Sequence, residues 1–297
     1  MSSCETMYGE GHAAAMARRH LQAMIPAPLR RWREMHYFLK HGEIELHLVP
    51  LLCDRNRDAI DVGANEGAYL HVMIANARRV LAFEPIPSLA DGLARKFGRR
   101  VTVSRIALSR RAGASILRIP MVKGSPVAGL ASLSQPCTTE AGACQEITVD
   151  TRALDSIFAS DAGFIKIDVE GHEEAVLDGA ANTIARCRPR LLVELEERFA
   201  PGIIHRVHER FQGLGYRGLY VQNGDLHPIE TFDPKVLQRA EDIAGYTGAE
   251  PRSALAGYVN NFLFLPREDC GGFLLRLAQA LARHYRHGAH AAPQRYS

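Results

Sequence analysis

Apolar and polar positions change rhythm as the chain is followed. Residues 12–24 read as a helix stopped by Pro26 and Pro28, and residues 29–40 as a second helix with Leu29, Trp32, Met35 and Leu39 close to one face. The stretch 45–52 is ambiguous, because Ile44, Leu46 and Leu48 alternate like a strand over a length that also suits a short helix. From Ala59 short apolar runs alternate with amphipathic segments. Ala59–Val62, Val80–Phe83 and Val101–Ile106 read as buried strands, and residues 67–77 and 87–97 as the helices between them. Strand, helix, strand, helix, strand at this spacing is the βαβ pattern of a parallel sheet covered on both faces.

The alternation pauses over residues 107–150. Ala114–Ile119 and Glu146–Val149 look like an antiparallel pair of strands, joined by a Gly/Ser/Pro/Thr-rich stretch from Lys123 to Cys144. A connection that long inside a compact domain is usually functional or mobile. The rhythm then resumes with strands at Phe164–Asp168, Leu191–Glu194, Tyr216–Val221 and Asn261–Leu265, and helices at 173–184 and 203–214. Residues 272–285 close the chain as an amphipathic helix with Leu274, Leu277, Leu281 and Tyr285 on one stripe, and disorder is expected after Gly288. The expected organisation is an N-terminal helical extension (1–42), an α/β domain of about seven strands (43–268), and a C-terminal helix and tail (269–297).

Composition narrows the function. The chain has 297 residues, 46% hydrophobic and 23% charged, so global disorder is excluded. With 36 basic against 33 acidic residues it lacks the basic excess of a dedicated nucleic-acid binder. No run approaches the roughly 20 apolar residues of a membrane span. The six cysteines are scattered without a C-x-x-C pair, which argues against a disulfide framework, and the thirteen histidines form no zinc pattern. With no secretory signal visible, a cytoplasmic location is expected.

Three strand tips carry chemistry. Asp61-Val-Gly63-Ala64-Asn65-Glu-Gly67 ends the first core strand. Its G-x-x-x-G spacing differs from the G-x-G-x-x-G that brings a pyrophosphate to a helix N-terminus. An acid opening this turn repels pyrophosphate and attracts an ammonium group, which favours a ligand with a cationic amino-acid end, such as S-adenosylmethionine. Glu84, 23 positions after Asp61 in Phe83-Glu84-Pro85, is placed to accept hydrogen bonds from ribose hydroxyls. Ser104–Ala107, at the third tip, is the natural place for an adenine. Ile167-Asp168-Val-Glu170-Gly-His172-Glu173 brings two carboxylates and an imidazole to the fourth tip, although a charged helix start explains Glu173 and Glu174 equally well. Glu194 adds an acid at the fifth.

Asp61-Val-Gly-Ala-Asn-x-Gly67, Phe83-Glu-Pro85, Ile106-Ala-Leu-Ser109, Val149–Ser156 and Lys166-Ile-Asp-Val-Glu-Gly-His172-Glu occur in an order that resembles the FkbM-type S-adenosylmethionine-dependent methyltransferases, over about residues 43–266. The resemblance implies a class I Rossmann-like, mostly parallel sheet with an antiparallel last strand. It also implies methyl transfer to a hydroxyl oxygen of a sugar, glycan or natural product. Carried over, Asp61, Gly63, Ala64, Asn65 and Gly67 would hold the methionine part, Glu84 and Pro85 the ribose, and Ile106 and Ala107 the adenine. Asp168, Glu170 and His172 would face the methyl group, Asp168 also touching the cofactor. His172 is the preferred general base, being neutral near pH 7, with Asp168 as the alternative. No metal ligand is assigned; a divalent ion between Asp168 and Glu194 is a minor alternative. The expected partners are a small-molecule or glycan hydroxyl acceptor, without nucleic acid, and a homodimer is allowed for. A nicotinamide-dependent oxidoreductase and a non-catalytic binding module are the competing readings.

Overall fold

The computed structural model describes residues 26–122, 124–135, 143–243, 255 and 257–286. The helix expected over 12–24, the tail after Gly288 and part of the long 123–144 connection lie outside the described residues.

The described residues form twelve strands: β1 (Asp58–Val62), β2 (Val80–Phe83), β3 (Val101–Ser104), β4 (Ala107–Leu108), β5 (Gly113–Val122), β6 (Ser125–Pro126), β7 (Cys144–Arg152), β8 (Ala162–Ile167), β9 (Arg190–Glu194), β10 (Tyr216–Gln222), β11 (Asp225–Pro228) and β12 (Asn261–Pro266). Eight form the main sheet, ordered β11-β10-β12-β9-β8-β1-β2-β3. The five from β9 to β3 are mutually parallel, whereas β12 is antiparallel to both β9 and β10. The α/β architecture expected from the sequence is therefore present, with one more strand than the seven counted: β11 returns from β10 as an edge hairpin.

The strands are buried on both faces, which is why they read as apolar runs. Ile60, Val62, Ile165 and Ile167 point into one core, completed by Val176 and Leu177 of α6 (Glu173–Gly179), Ile184 of α7 (Ala181–Cys187) and Phe211 of α8 (Ile203–Gly213). Ala59, Phe164, Leu192 and Leu263 point into the other, covered by α3 (Leu70–Met73), α4 (Pro87–Phe97) and α10 (Cys270–Arg286). The ambiguous 44–52 segment resolves into a 3₁₀ turn (Ile44–His47) and a short helix, α2 (Val49–Leu52).

Three helix expectations need correction. The helix expected over 67–77 shrinks to the four residues of α3. The helix expected over 173–184 is two, broken at Ala180, where a Cβ on Gly179 would come within 2.0 Å of the Ser109 carbonyl oxygen. The helix near 29–40 is present as α1 (Ala27–His41), yet Leu29 and Trp32 are exposed. Its inward face carries Leu39, as expected, together with Phe38, and Glu34 reaches His71 (3.3 Å) and Lys96 (3.1 Å).

The 107–152 insertion is a small mixed sheet, ordered β4-β7-β5-β6, in which the expected antiparallel pair is β5 and β7 over eight registered positions and β4 joins β7 in parallel. A satellite core of Leu117, Ile119 and Val149 joins it to Ile86 and Ala107 of the main body. Cys144 is disulfide-bonded, while Cys53, Cys187 and Cys270 are free. Among the described residues no helix is long and apolar enough to cross a membrane.

Candidate active site

Strand order reverses at β1, which lies between β2 and β8. A crevice therefore opens beyond the carboxyl ends of β1, β2 and β8, the usual ligand position in such sheets. The first turn enters it at Gly63, with φ +78°, where a Cβ would come within 1.9 Å of the Asp168 carbonyl oxygen. Only glycine lets these two strand exits run so close. Gly63 N and Ala64 N both donate to Phe83 O, at 2.9 and 3.2 Å, tying the turn to β2. Asn65 and Glu170 hold left-handed backbones (φ 46° and 47°) on the two facing turns, a conformation that non-glycine residues keep mainly where the surroundings impose it.

Glu84 is 4% exposed just beyond β2. Asn65 N donates to its Oε2 (2.8 Å) and Ile86 N to its Oε1 (2.9 Å). Each oxygen keeps a second lone pair, so the carboxylate is aimed and can still accept. It borders a narrow, mainly apolar slot of about 70 Å³, floored by Phe83, Ile86 and Ala107 and roofed by Ala128, Ala131 and Leu133. Beside the slot lies a wider, more polar cleft of about 650 Å³ with mixed lining, bordered by Tyr37, Glu43, Lys166, Glu194, Arg198 and Tyr258.

A buried charge network underlies the cleft. Asp61 is 1% exposed, with Oδ1 lacking a hydrogen-bond partner; burial pushes its pKa up to about 6 against the pull of Lys166. Asp61 and Lys166 are register partners on β1 and β8. Lys166 Nζ donates to Asp168 Oδ2 (2.7 Å) and sits 4.8 Å from the centre of the Tyr69 ring, whose hydroxyl donates to Glu43 (2.5 Å). On the far wall Arg198 pairs with Glu196 (2.6 Å) and lies 3.9 Å from Glu170 Oε2. Burial, then the neighbouring Asp168 and Glu196, hold the Glu170 pKa well above the ordinary carboxylate value.

Of the residues singled out by sequence, Gly63, Asn65, Asp168 and Glu170 border both spaces. Glu84, Pro85, Ala107 and His172 border only the slot, and Ala64 only the cleft. Asp61, Gly67 and Ile106 border neither. Asp61 lies beneath the floor, Gly67 packs its turn against Leu93 and Phe97, and Ile106 joins a core. His172 has both ring nitrogens engaged, Nδ1 with Ser134 Oγ (2.7 Å) and Nε2 with Ser109 Oγ (3.0 Å). Its pKa is lowered by burial and by Arg110, so the ring is neutral near pH 7.

Lys166 went unassigned in the sequence reading, although a lysine inside an otherwise apolar strand was a signal. Arg198, Tyr258 and Asn260 gave none, because antiparallel pairing of β9 with β12 brings them to the cleft. Carboxylate oxygens of Asp168, Glu170 and Glu194 lie within 4.8 Å of one another, a hard donor set that suits a cationic group or a divalent ion.

No curated protein sequence matches the chain. Among solved structures it is similar to a methyltransferase FkbM from Methylobacillus flagellatus, with 15% identity and TM-score 0.45 over 83% of this chain; the match spans 57% of that protein's length. It is also similar to a putative methyltransferase from Streptococcus mutans in complex with SAH (10% identity, TM-score 0.41, 75% of this chain and 96% of that one). A third likeness is to an rRNA methylase from Streptococcus thermophilus (10% identity, TM-score 0.39, 74% and 92%). The methyltransferase FkbM domain profile matches residues 61–217, which contain the glycine turn, Glu84 and the Asp168–His172 tip. The chain belongs to the methyltransferase FkbM domain family.

Proposed function

We propose that the chain is an S-adenosylmethionine-dependent O-methyltransferase acting on a hydroxyl of a sugar, glycan or natural product. The carrying observation is the junction of the two spaces, where the apolar slot meets the polar cleft between Asp168 and Glu170. A molecule with a nucleoside at one end and an amino acid at the other has its sulfonium where those ends join. The residues present fit such a ligand. Glu84 is aimed to accept from a vicinal diol, Glu170 holds a buried carboxylate oxygen without a hydrogen-bond partner, and Gly63 lets the first turn run against the Asp168 backbone.

S-adenosylmethionine, when bound, supplies a methyl group on a positively charged sulfur. The chain supplies alignment, worth on the order of 7 to 11 kcal/mol when reacting atoms are well oriented, and a proton acceptor. We assign Glu84 to the ribose, Gly63 and Asn65 to the methionine backbone, and Asp168 to its ammonium, with Asp61 beneath the floor acting on the site only through its buried charge. Ala107 and Pro85 flank the nucleoside. Glu170 Oε2 is assigned to take the acceptor hydroxyl proton as the new C–O bond forms. A carboxylate raised by burial is a stronger base than a solvated one, and a cation beside it favours its ionised form. His172 is less suited to that task, since both its nitrogens are bonded to serines on the slot side.

The cleft supports a polyhydroxylated acceptor, because aromatic residues (Tyr37, Tyr258) and polar ones (Glu43, Glu194, Arg198, Asn260) line it together. Its carboxylate walls would repel a phosphate backbone, which supports a non-nucleic acceptor. The test is transfer of labelled methyl from S-adenosylmethionine to a panel of hydroxylated glycans and macrolides, reading S-adenosylhomocysteine release. Acceptor-dependent release supports the reading; cofactor binding with no release across the panel, or release driven by RNA alone, contradicts it.

A further inference from the structure

The stretch following β6 has a structure of its own. Its backbone turns through a 3₁₀ element (Ala128–Leu130) and then bridges β5, Arg118 and Ser132 exchanging N–H···O bonds of 3.0 Å in both directions. Its side chains reach across the slot to the opposite wall. Ser132 Oγ donates to Glu170 O (2.5 Å) and accepts from Ser134 N (3.2 Å) and Gln135 N (3.1 Å). Gln135 Nε2 donates to Phe199 O (2.9 Å). Gly171, with φ +88°, makes room for this crossing, as a Cβ there would lie 2.7 Å from Gln135 Nε2. Between those anchor points, Ala128, Ala131 and Leu133 are only half-buried as they roof the slot.

His172 completes the closure. A neutral imidazole has one donor and one acceptor. Here both are used, one toward Ser134 on the roof and the other toward Ser109, just after β4, on the fixed side. The ring thus spans from body to roof, and it borders the slot without reaching the cleft.

We infer that residues 128–135 are a lid over the slot, and that His172 is the positioning residue that latches it. The inference rests on the slot being the nucleoside pocket of the proposed function. A segment held by one backbone bridge, a few side-chain hydrogen bonds and half-buried apolar groups on a small satellite core opens at less cost than the main sheet. Such opening would admit and release the cofactor, so the latch sets exchange of the nucleoside rather than the chemical step.

Hydrogen exchange on the ligand-free protein tests the latch without reference to any cofactor. For His172→Ala, amides in 127–135 are expected to exchange about tenfold faster, the scale of one or two lost hydrogen bonds, with the main sheet unchanged. Ser134→Ala, an exposed change, gives the same local signature should His172→Ala fold poorly. His172→Asn, whose amide can reach toward Ser134, restores protection. With S-adenosylhomocysteine as probe, dissociation from His172→Ala is expected about tenfold faster, and KM for the methyl donor rises more than kcat falls. Unchanged exchange in 127–135 overturns the latch, as does a hundredfold loss of kcat with KM and exchange intact. Faster exchange in a protein that binds no S-adenosylhomocysteine leaves the lid standing and removes the proposed function.

Discussion

Glu170 and His172 stand two residues apart and face different spaces, the first at the junction of slot and cleft and the second behind the slot. If Glu170 takes the proton, Glu170→Gln lowers kcat by about 10² to 10⁴-fold while S-adenosylhomocysteine affinity, measured by calorimetry, changes little. Because burial and neighbouring acids raise the Glu170 pKa, kcat should climb with pH through a limb displaced above the ordinary carboxylate range, and the limb should vanish in the variant. A wild-type limb near pH 4.5 would refute the assignment. At this scale the sequence was readable for position, where a residue stands at a strand tip. Glu84 lies at its tip with both oxygens aimed by backbone N–H groups, as a ribose acceptor requires. Asp61 was harder, since alternation along β1 turns it under the floor toward Lys166, and that partner comes from a strand about a hundred residues away.

At the scale of elements, the start of α6 stores a pH dependence. Glu173 is 2% exposed, its Oε1 accepts from Gly171 N (2.8 Å), and burial pushes its pKa up to about 7. The folded state then holds a proton between about pH 4.5 and 7 that the unfolded chain has released. Stability is full below the unfolded pKa and falls as pH rises through the folded one, by about 3 kcal/mol at most. Glu173→Gln should flatten that part of the denaturant-midpoint profile, and an unchanged slope would show that Glu173 is not its source. The acids at 173 and 174 did read as a helix start, and α6 begins there. The break at Ala180 was not readable, because its cause, the Ser109 backbone against Gly179, is a tertiary approach that leaves no local pattern. Strands were the most legible elements: burial on both faces forces continuous apolar runs, whereas the polar edge strand β11 and the two-residue strands β4 and β6 escaped.

For the whole molecule, the arrangement of strands explains why scattered motifs meet. Reversal of strand order at β1 gathers the tips of β1, β2 and β8, so residues 61–67, 84 and 168–172 converge from three separate segments. The same convergence crowds Asp168, Glu170 and Glu194, of which the account gives Asp168 to the ligand's ammonium and Glu170 to the acceptor hydroxyl, and none to a metal ion. Dialysis against EDTA should therefore leave methyl transfer intact; loss of activity restored by magnesium would give those carboxylates to an ion instead. The insertion between β4 and β8 was legible as a hairpin but not as a roof, since its side-chain anchors on Glu170, His172 and Phe199 exist only once the chain has folded. The most direct measurement is a calorimetric titration of the purified chain with S-adenosylmethionine and, in parallel, with NAD. The account predicts saturable binding of the sulfonium compound, lost in Glu84→Gln, and no uptake of the dinucleotide; binding of NAD with indifference to S-adenosylmethionine would contradict it.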